Sequence, residues 1–173
     1  MWVMGLFIIG AIAESSPNVD PCKCYESFNK ERMIGFSNLS TTSKEFYNDY
    51  VRAWVAKKIG IRGFGPSTAI GVQRDNQLIA GAVFHDYRDG QIEASIASSS
   101  PRWATRSVLY SLFAYPFIQC DANRLLVTCD ESNHKAMKMN RQLGFTPEGI
   151  LRQMYYPNDA IVWGMLKDEC KWI

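Results

Sequence analysis

The sequence predicts an α+β fold, and three observations carry that expectation. Three strand-like runs, Thr68 to Arg74, Gln77 to Tyr87 and Gln91 to Ser98, follow one another across two short turns, Asp75-Asn76 and Arg88-Asp89-Gly90. Those separators are hairpin turn chemistry, so the runs read as an antiparallel meander. Beyond the meander, helical and strand periods alternate to the C-terminus. The segment from Asn133 to Arg152, NHKAMKMNRQLGFTPEGILR, holds a short helix that passes at once into an extended run.

The elements follow in order along one domain. With 173 residues, 47% of them hydrophobic and 13% aromatic, the chain can bury a single core. Residues 1–31 read as an apolar N-terminal segment and linker, and residues 32–173 as the domain. The first thirteen residues, MWVMGLFIIGAIA, are uncharged and end like a cleavage site. No Lys or Arg precedes them, and the run is shorter than the roughly 20 residues that span a bilayer. A secretory signal, a buried first strand and a start placed too far upstream are the alternatives; the expectation is a cytoplasmic protein that keeps this segment or begins at a later Met. Two prolines in residues 14–31 mark a loop.

Met33 to Ser37 reads as a strand, and Thr42 with Glu45 has the spacing of a capping box. The helix they open carries Phe46, Tyr47, Tyr50, Val51, Trp54, Val55 and Ile59 as one apolar stripe, and Gly60 closes it. Trp103 to about Gln119 has helical spacing at Val108, Leu109, Leu112, Phe113 and Phe117, with a kink or end expected at Pro116. Arg124 to Cys129, RLLVTC, reads as a buried strand. The next helix repeats Ala136, Met139 and Leu143 and stops at Gly144. Gly149 to Tyr156 and Ala160 to Lys167 form a last hairpin, and Glu148 with Arg152, four apart on a strand, predicts a structural ion pair.

Composition removes several functions. Nineteen basic and seventeen acidic residues leave a formal charge of +2, too little to argue for nucleic-acid or membrane binding. Five scattered cysteines, Cys22, Cys24, Cys120, Cys129 and Cys170, suit reduced thiols better than a disulfide framework. Cys22-Lys23-Cys24 has only His85 and His134 to complete a zinc site, so no metal is expected.

Asn133, Ala136, Leu143-Gly144-Phe145, Glu148-Gly149 and Arg152, in this element order, resemble the C-terminal half of the GNAT family of N-acetyltransferases. Within it they are most similar to the branch that acetylates ribosomal-protein N-termini. The resemblance covers about Thr68 to Ile173, and more loosely the helix from Thr42. It implies a strongly bent mixed sheet with helices on both faces, whose fourth and fifth strands splay apart to admit acetyl-CoA as cosubstrate. The main chain of Ile96, Ala97 and Ser98 would then meet the pantetheine arm, because unpaired strand edges need partners. The following helix start, Trp103, Ala104, Thr105, Arg106 and Ser107, would meet the pyrophosphate.

Two departures accompany the resemblance. The family's phosphate loop has Gln or Arg, two residues, Gly, one residue, then Gly or Ala. Only Ala104 keeps that pattern, since Ser99 and Arg102 stand at the other two positions. Arg102 and Arg106 either bring guanidinium groups to the phosphates or are plain solvated arginines. Asn140, counted with the cofactor-binding residues, stands where many members have the Tyr that protonates the leaving thiolate, so the thiolate would leave unprotonated or take a proton from water or from a tyrosine such as Tyr155 or Tyr156.

Asn133 either only caps its helix or also binds the pantetheine arm. Glu93, the sole carboxylate in QIEASIAS, is the candidate base; the other reading is a solvent-facing Glu. The resulting expectation is transfer of acetyl from acetyl-CoA to a primary amine on a protein or a small molecule. An inactive GNAT-fold binding protein is the alternative. Assembly is left open between monomer and homodimer.

Overall fold

The computed structural model describes residues 7–10 and 41–173. Seven strands, Phe7–Gly10 (β1), Ser67–Arg74 (β2), Gln77–Arg88 (β3), Gln91–Ser98 (β4), Arg124–Asp130 (β5), Thr146–Tyr155 (β6) and Asn158–Leu166 (β7), form one sheet. Their order is β1-β2-β3-β4-β5-β7-β6, and β4 with β5 is the parallel pair among otherwise antiparallel neighbours. Three α-helices are described: Thr41–Ile59 (α1), Arg106–Ala114 (α2) and His134–Leu143 (α3). The fold is thus α+β with a mixed sheet. The expected strand at Met33 to Ser37, the side chains of Thr42, Glu45 and Phe46, and Cys22 and Cys24 lie outside what the structure describes.

Within the apolar N-terminal segment, Phe7–Gly10 adds an edge strand to β2, with Phe7 opposite Gln73 and Gly10 opposite Ile70. Part of the 1–31 segment therefore belongs to the sheet. The meander is as expected. Asp75 and Asn76 take φ of 51° and 58°, and Asp89 and Gly90 take 46° and 83°, the left-handed pairs that a two-residue hairpin loop requires.

One sheet face receives α1. Gly71 and Gly81 lie opposite each other in the β2/β3 register. A Cβ on either would come within 2.8 Å of a valine methyl, Val51 for Gly71 and Val55 for Gly81. So close an approach admits β-branched side chains under the helix and leaves no room for rings. The expected aromatic stripe is rotated accordingly: Val51 and Val55 are buried, whereas Tyr50 is 46% and Ile59 37% exposed. Buried Asn48 fastens the helix to β2, its Oδ1 accepting the Ala69 N–H at 2.7 Å and its Nδ2 donating to the Ser67 carbonyl at 3.4 Å.

The opposite face carries the larger core. Val108, Leu109, Leu112, Phe113 and Phe117 pack with Ile70, Val72, Phe84 and Ile92 of the sheet, and Leu143 and Phe145 join them. The helix expected from Trp103 begins at Arg106, after a 3-10 turn over Pro101–Trp103 that Ser100 Oγ caps through the Arg102 N–H. The α-helix ends at Ala114, two residues before Pro116, and the chain continues as a π turn, Tyr115–Gln119, whose wider spacing accommodates a residue without an N–H.

The ends of α3 are as expected. Asn133 Oδ1 accepts the Ala136 N–H at 3.1 Å. At the other end Gly144 takes φ 108°, and the N–H groups of Phe145 and Gly144 return to the carbonyls of Asn140 and Arg141. The predicted Glu148/Arg152 pair does not form. Register shifts on either side of Gly149–Leu151 interrupt the alternation of β6, and Glu148 instead pairs with Arg124 of β5, its carboxylate lying against Gly164.

Candidate active site at the opening between β4 and β5

The site begins where a ladder stops. β4 and β5 pair through Gln91–Arg124, Ile92–Leu125 and Glu93–Leu126, and no further. β4 remains paired with β3 up to Ser98, and β5 with β7 up to Asp130, so both strands continue without each other. The edges of residues 94–98 and 127–130 thus face an opening. The Ser99 N–H donates to Ile79 of β3 at 2.8 Å. Main-chain groups alternate sides along a strand, so Ala94, Ile96 and Ser98 turn theirs to the opening. Ala97, expected to do so, turns its own toward β3.

At the end of β4 the chain enters the loop that precedes α2. Thr105 makes no side-chain cap, so the first N–H groups of the helix have no such partner. Arg102, Ala104, Thr105, Arg106 and Ser107 are exposed around them, and neither arginine has an ion-pair partner among the described residues. Trp103 is different. Its side chain is 2% exposed and packed in the core, so of this residue only the main chain is available to a ligand.

Across the opening, Asn133 follows β5 closely, its N–H donating to the Asp130 carbonyl at 2.9 Å. Its Oδ1 is used by the helix cap, which leaves the amide Nδ2 as a donor. Asn140 is 6% exposed and directs its Nδ2 to Cys129 Sγ at 3.8 Å, against the unpaired half of β5. Burial pushes the Cys129 thiol up, opposed in part by the Trp163 indole N–H that donates to it at 3.2 Å, so the thiol stays neutral.

On the α1 face of the opening a polar cluster gathers. Glu93 and Ser95 of β4 share this face with Thr128 of β5, which lies two residues beyond Leu126, the partner of Glu93. The Tyr155 hydroxyl reaches Thr128 Oγ1 at 3.3 Å, whereas Tyr156 is 82% exposed. Glu93 stands opposite His85 of β3. Burial raises its carboxyl above the usual range; the attraction of His85 opposes this and the charge of Asp86 adds to it. His85 Nδ1 lies 2.8 Å from Asp86 Oδ2, and Nε2 lies 3.1 Å from Ser95 Oγ. The ligand-type atoms of His85, Asp86 and Glu93 lie within 4.8 Å of one another, but both imidazole nitrogens already have partners, so the set reads as proton-handling.

The structure therefore brings Glu93 and Ser95 to one side of the opening, the α2 entry loop to one end, and Asn133 to the far strand. Sequence reasoning missed His85 and Asp86. Their signal is the His-Asp pair that interrupts the apolar run LIAGAVF, but their meeting depends on a backbone irregularity that no periodicity reveals.

A mixed sheet opened between two parallel strands, with a helix start at its mouth, defines a GNAT-type acyltransferase fold, and solved structures agree. No protein-family model and no curated protein matches the chain by sequence. Mutant forms of the spermidine/spermine N-acetyltransferase SpeG from Vibrio cholerae superpose with a TM-score of 0.56 at 14% identity, over 95% of this chain and 96% of that one. The ribosomal-protein-S5-alanine acetyltransferase from Vibrio fischeri gives 0.54 at 15%, over 74% of each. A probable acetyltransferase of the GNAT family from Chromobacterium violaceum gives 0.52 at 25%, over 68% of this chain and 66% of that one. The chain has the GNAT fold.

Proposed function

We propose that this protein is an N-acetyltransferase that moves the acetyl group of acetyl-CoA to a primary amine. The observation that carries the reading is the β4/β5 ladder ending at Glu93 and Leu126. Unpaired strand edges must find partners, and an amide-bearing arm such as pantetheine offers the donors and acceptors of a substitute strand. Ala94, Ile96 and Ser98 would hold it from β4, and the Asn133 amide from the far side. The N–H groups at the start of α2, which Thr105 does not cap, suit a pyrophosphate, as do the positive end of the helix dipole and Arg102 and Arg106, which have no ion-pair partner among the described residues. The cosubstrate supplies an activated thioester; the protein supplies position and proton transfer.

Main-chain N–H groups lining the opening can stabilise the oxygen that becomes negative as the amine attacks. Placing the amine nitrogen about 3 to 3.5 Å from the acyl carbon is the other large contribution. Two groups on the α1 face can receive its proton, Glu93 and its neighbour His85. Tyr155, half-buried and bonded to Thr128, is the better placed tyrosine to protonate the leaving sulfur.

The neighbours named for spermidine and for a ribosomal-protein alanine suggest the two acceptor classes to test, a polyamine and a peptide N-terminus. The expected result is amine-dependent release of free CoA with one of them. Ala104→Glu, which puts bulk and negative charge at the α2 entrance, should abolish both turnover and CoA binding. An Ala104→Glu protein that binds CoA like the parent rejects this placement of the phosphates. The replacement of the usual loop Gly by Arg102 and of the usual Tyr by Asn140 favours a second reading, a cofactor-binding protein without catalysis; tight acetyl-CoA binding with no turnover of either amine class would select it.

A further inference from the structure

The contact between Asp86 and His85 is made by a break in β3. Successive residues of a strand point to opposite faces, yet here neighbours meet. Asp86 takes φ 51°, and the β3/β4 register shifts between His85 and Arg88. Left-handed backbone at a residue other than glycine costs stability and persists only where the surroundings enforce it. Its effect is to lay the Asp86 carboxylate on the imidazole of the preceding residue.

That contact fixes the chemistry of the ring. A carboxylate only accepts, so in the neutral ring His85 Nδ1 carries the proton and Nε2 presents a lone pair to the Ser95 hydroxyl. The His85 side chain is 13% exposed, with the Phe64 ring 5.3 Å away. Ser95 belongs to the part of β4 that lines the opening. Glu93, the last residue of β4 paired with β5, stands opposite His85.

We propose that this chain of side chains is the proton-accepting unit of the acetyl transfer: His85 Nε2 takes the proton of the incoming ammonium through Ser95 Oγ, Asp86 positions the imidazole, and Glu93 draws the ammonium in. The proposal rests on the acetyl-transfer reading above. An ammonium proton passes to Ser95 Oγ as the Ser95 proton passes to His85 Nε2, which leaves a neutral amine. The amine lone pair forms the C–N bond, the C–S bond breaks, and its electron pair goes to sulfur. The second nitrogen proton ends on that sulfur, and His85 returns the first to water.

The charges around His85 suit a ring that becomes cationic. Asp86 and Glu93 face it from the sheet. From α1, Arg52 reaches Ser67, the β2 partner of His85, and is itself paired with Asp49, which reduces its opposition.

The test compares His85→Gln, Asp86→Asn and Glu93→Gln, each in the full-length protein. Acetyl-CoA and either spermidine or an alanine-initiated peptide are the substrates, with CoA affinity and melting temperature measured alongside. We expect His85→Gln to lower kcat by about 10² and to remove the acid limb of its pH profile. Asp86→Asn should displace that limb, and Glu93→Gln should act mainly on the KM of the amine. CoA affinity should be unchanged in all three. The chain has two histidines, so imidazole NMR can be assigned with His134→Asn and should show His85 protonated at Nδ1. An acid limb that survives His85→Gln and vanishes in Glu93→Gln overturns the proposal, as does an Nε2-protonated His85. A parent that binds no acetyl-CoA removes instead the reading on which the proposal rests.

Discussion

Asn48 shows how one polar side chain can hold an element in place. It is buried, and its amide bonds the main chain of both Ser67 and Ala69. Asn48→Leu would leave the Ala69 N–H and the Ser67 carbonyl without that partner, at a cost of about 1 to 3 kcal/mol for each group that finds no other. Chemical denaturation should show a loss in that range. Glu93 should behave in the opposite way. Because its folded pKa is raised, its contribution to stability is complete below the ordinary glutamate pKa and is lost as pH rises through the raised value. Glu93→Gln should therefore melt above the parent at neutral pH and level with it in acid; a variant less stable at neutral pH would contradict the burial that raises the carboxyl. Residues such as Gly144 and Asn133 were legible in the sequence, because caps follow local backbone chemistry. Asp86 was not, because its role depends on a left-handed residue inside a strand.

The strands and turns of the meander could be read almost to the residue, since Asp75-Asn76 and Asp89-Gly90 leave few other conformations. The orientation of α1 could not. Periodicity showed a broad apolar face, but the part of it that is buried is chosen by the glycine floor beneath, where Gly71 and Gly81 let Val51 and Val55 approach. Gly81→Val should displace the helix and cost roughly 1 to 3 kcal/mol, as overpacking does; denaturation of that variant checks it, and unchanged stability would mean that α1 does not lie as described. The α3 terminus gained partners that local pattern cannot supply. Lys171 Nζ and Trp172 Nε1 donate to the carbonyls of Gln142 and Leu143 from the far end of the chain. Those contacts satisfy the last turn of α3 and place the Trp172 ring 6.4 Å from Phe113.

At the scale of the whole molecule, helices pack on both faces of the sheet, and the parallel β4/β5 pairing ends after three residue pairs. The expectation of a splay came from the resemblance and not from periodicity, because no local signal says where two strands cease to pair. Under the proposed function, the opening takes an acetylated pantetheine arm as a guest strand, with its phosphates at the start of α2. Calorimetric titration of the parent protein with acetyl-CoA tests this most directly. The account predicts saturable one-to-one binding, lost in Ala104→Glu, and a stabilisation of about 2.7 kcal/mol at a hundred times the dissociation constant. No heat of binding and no thermal shift at millimolar acetyl-CoA would contradict it.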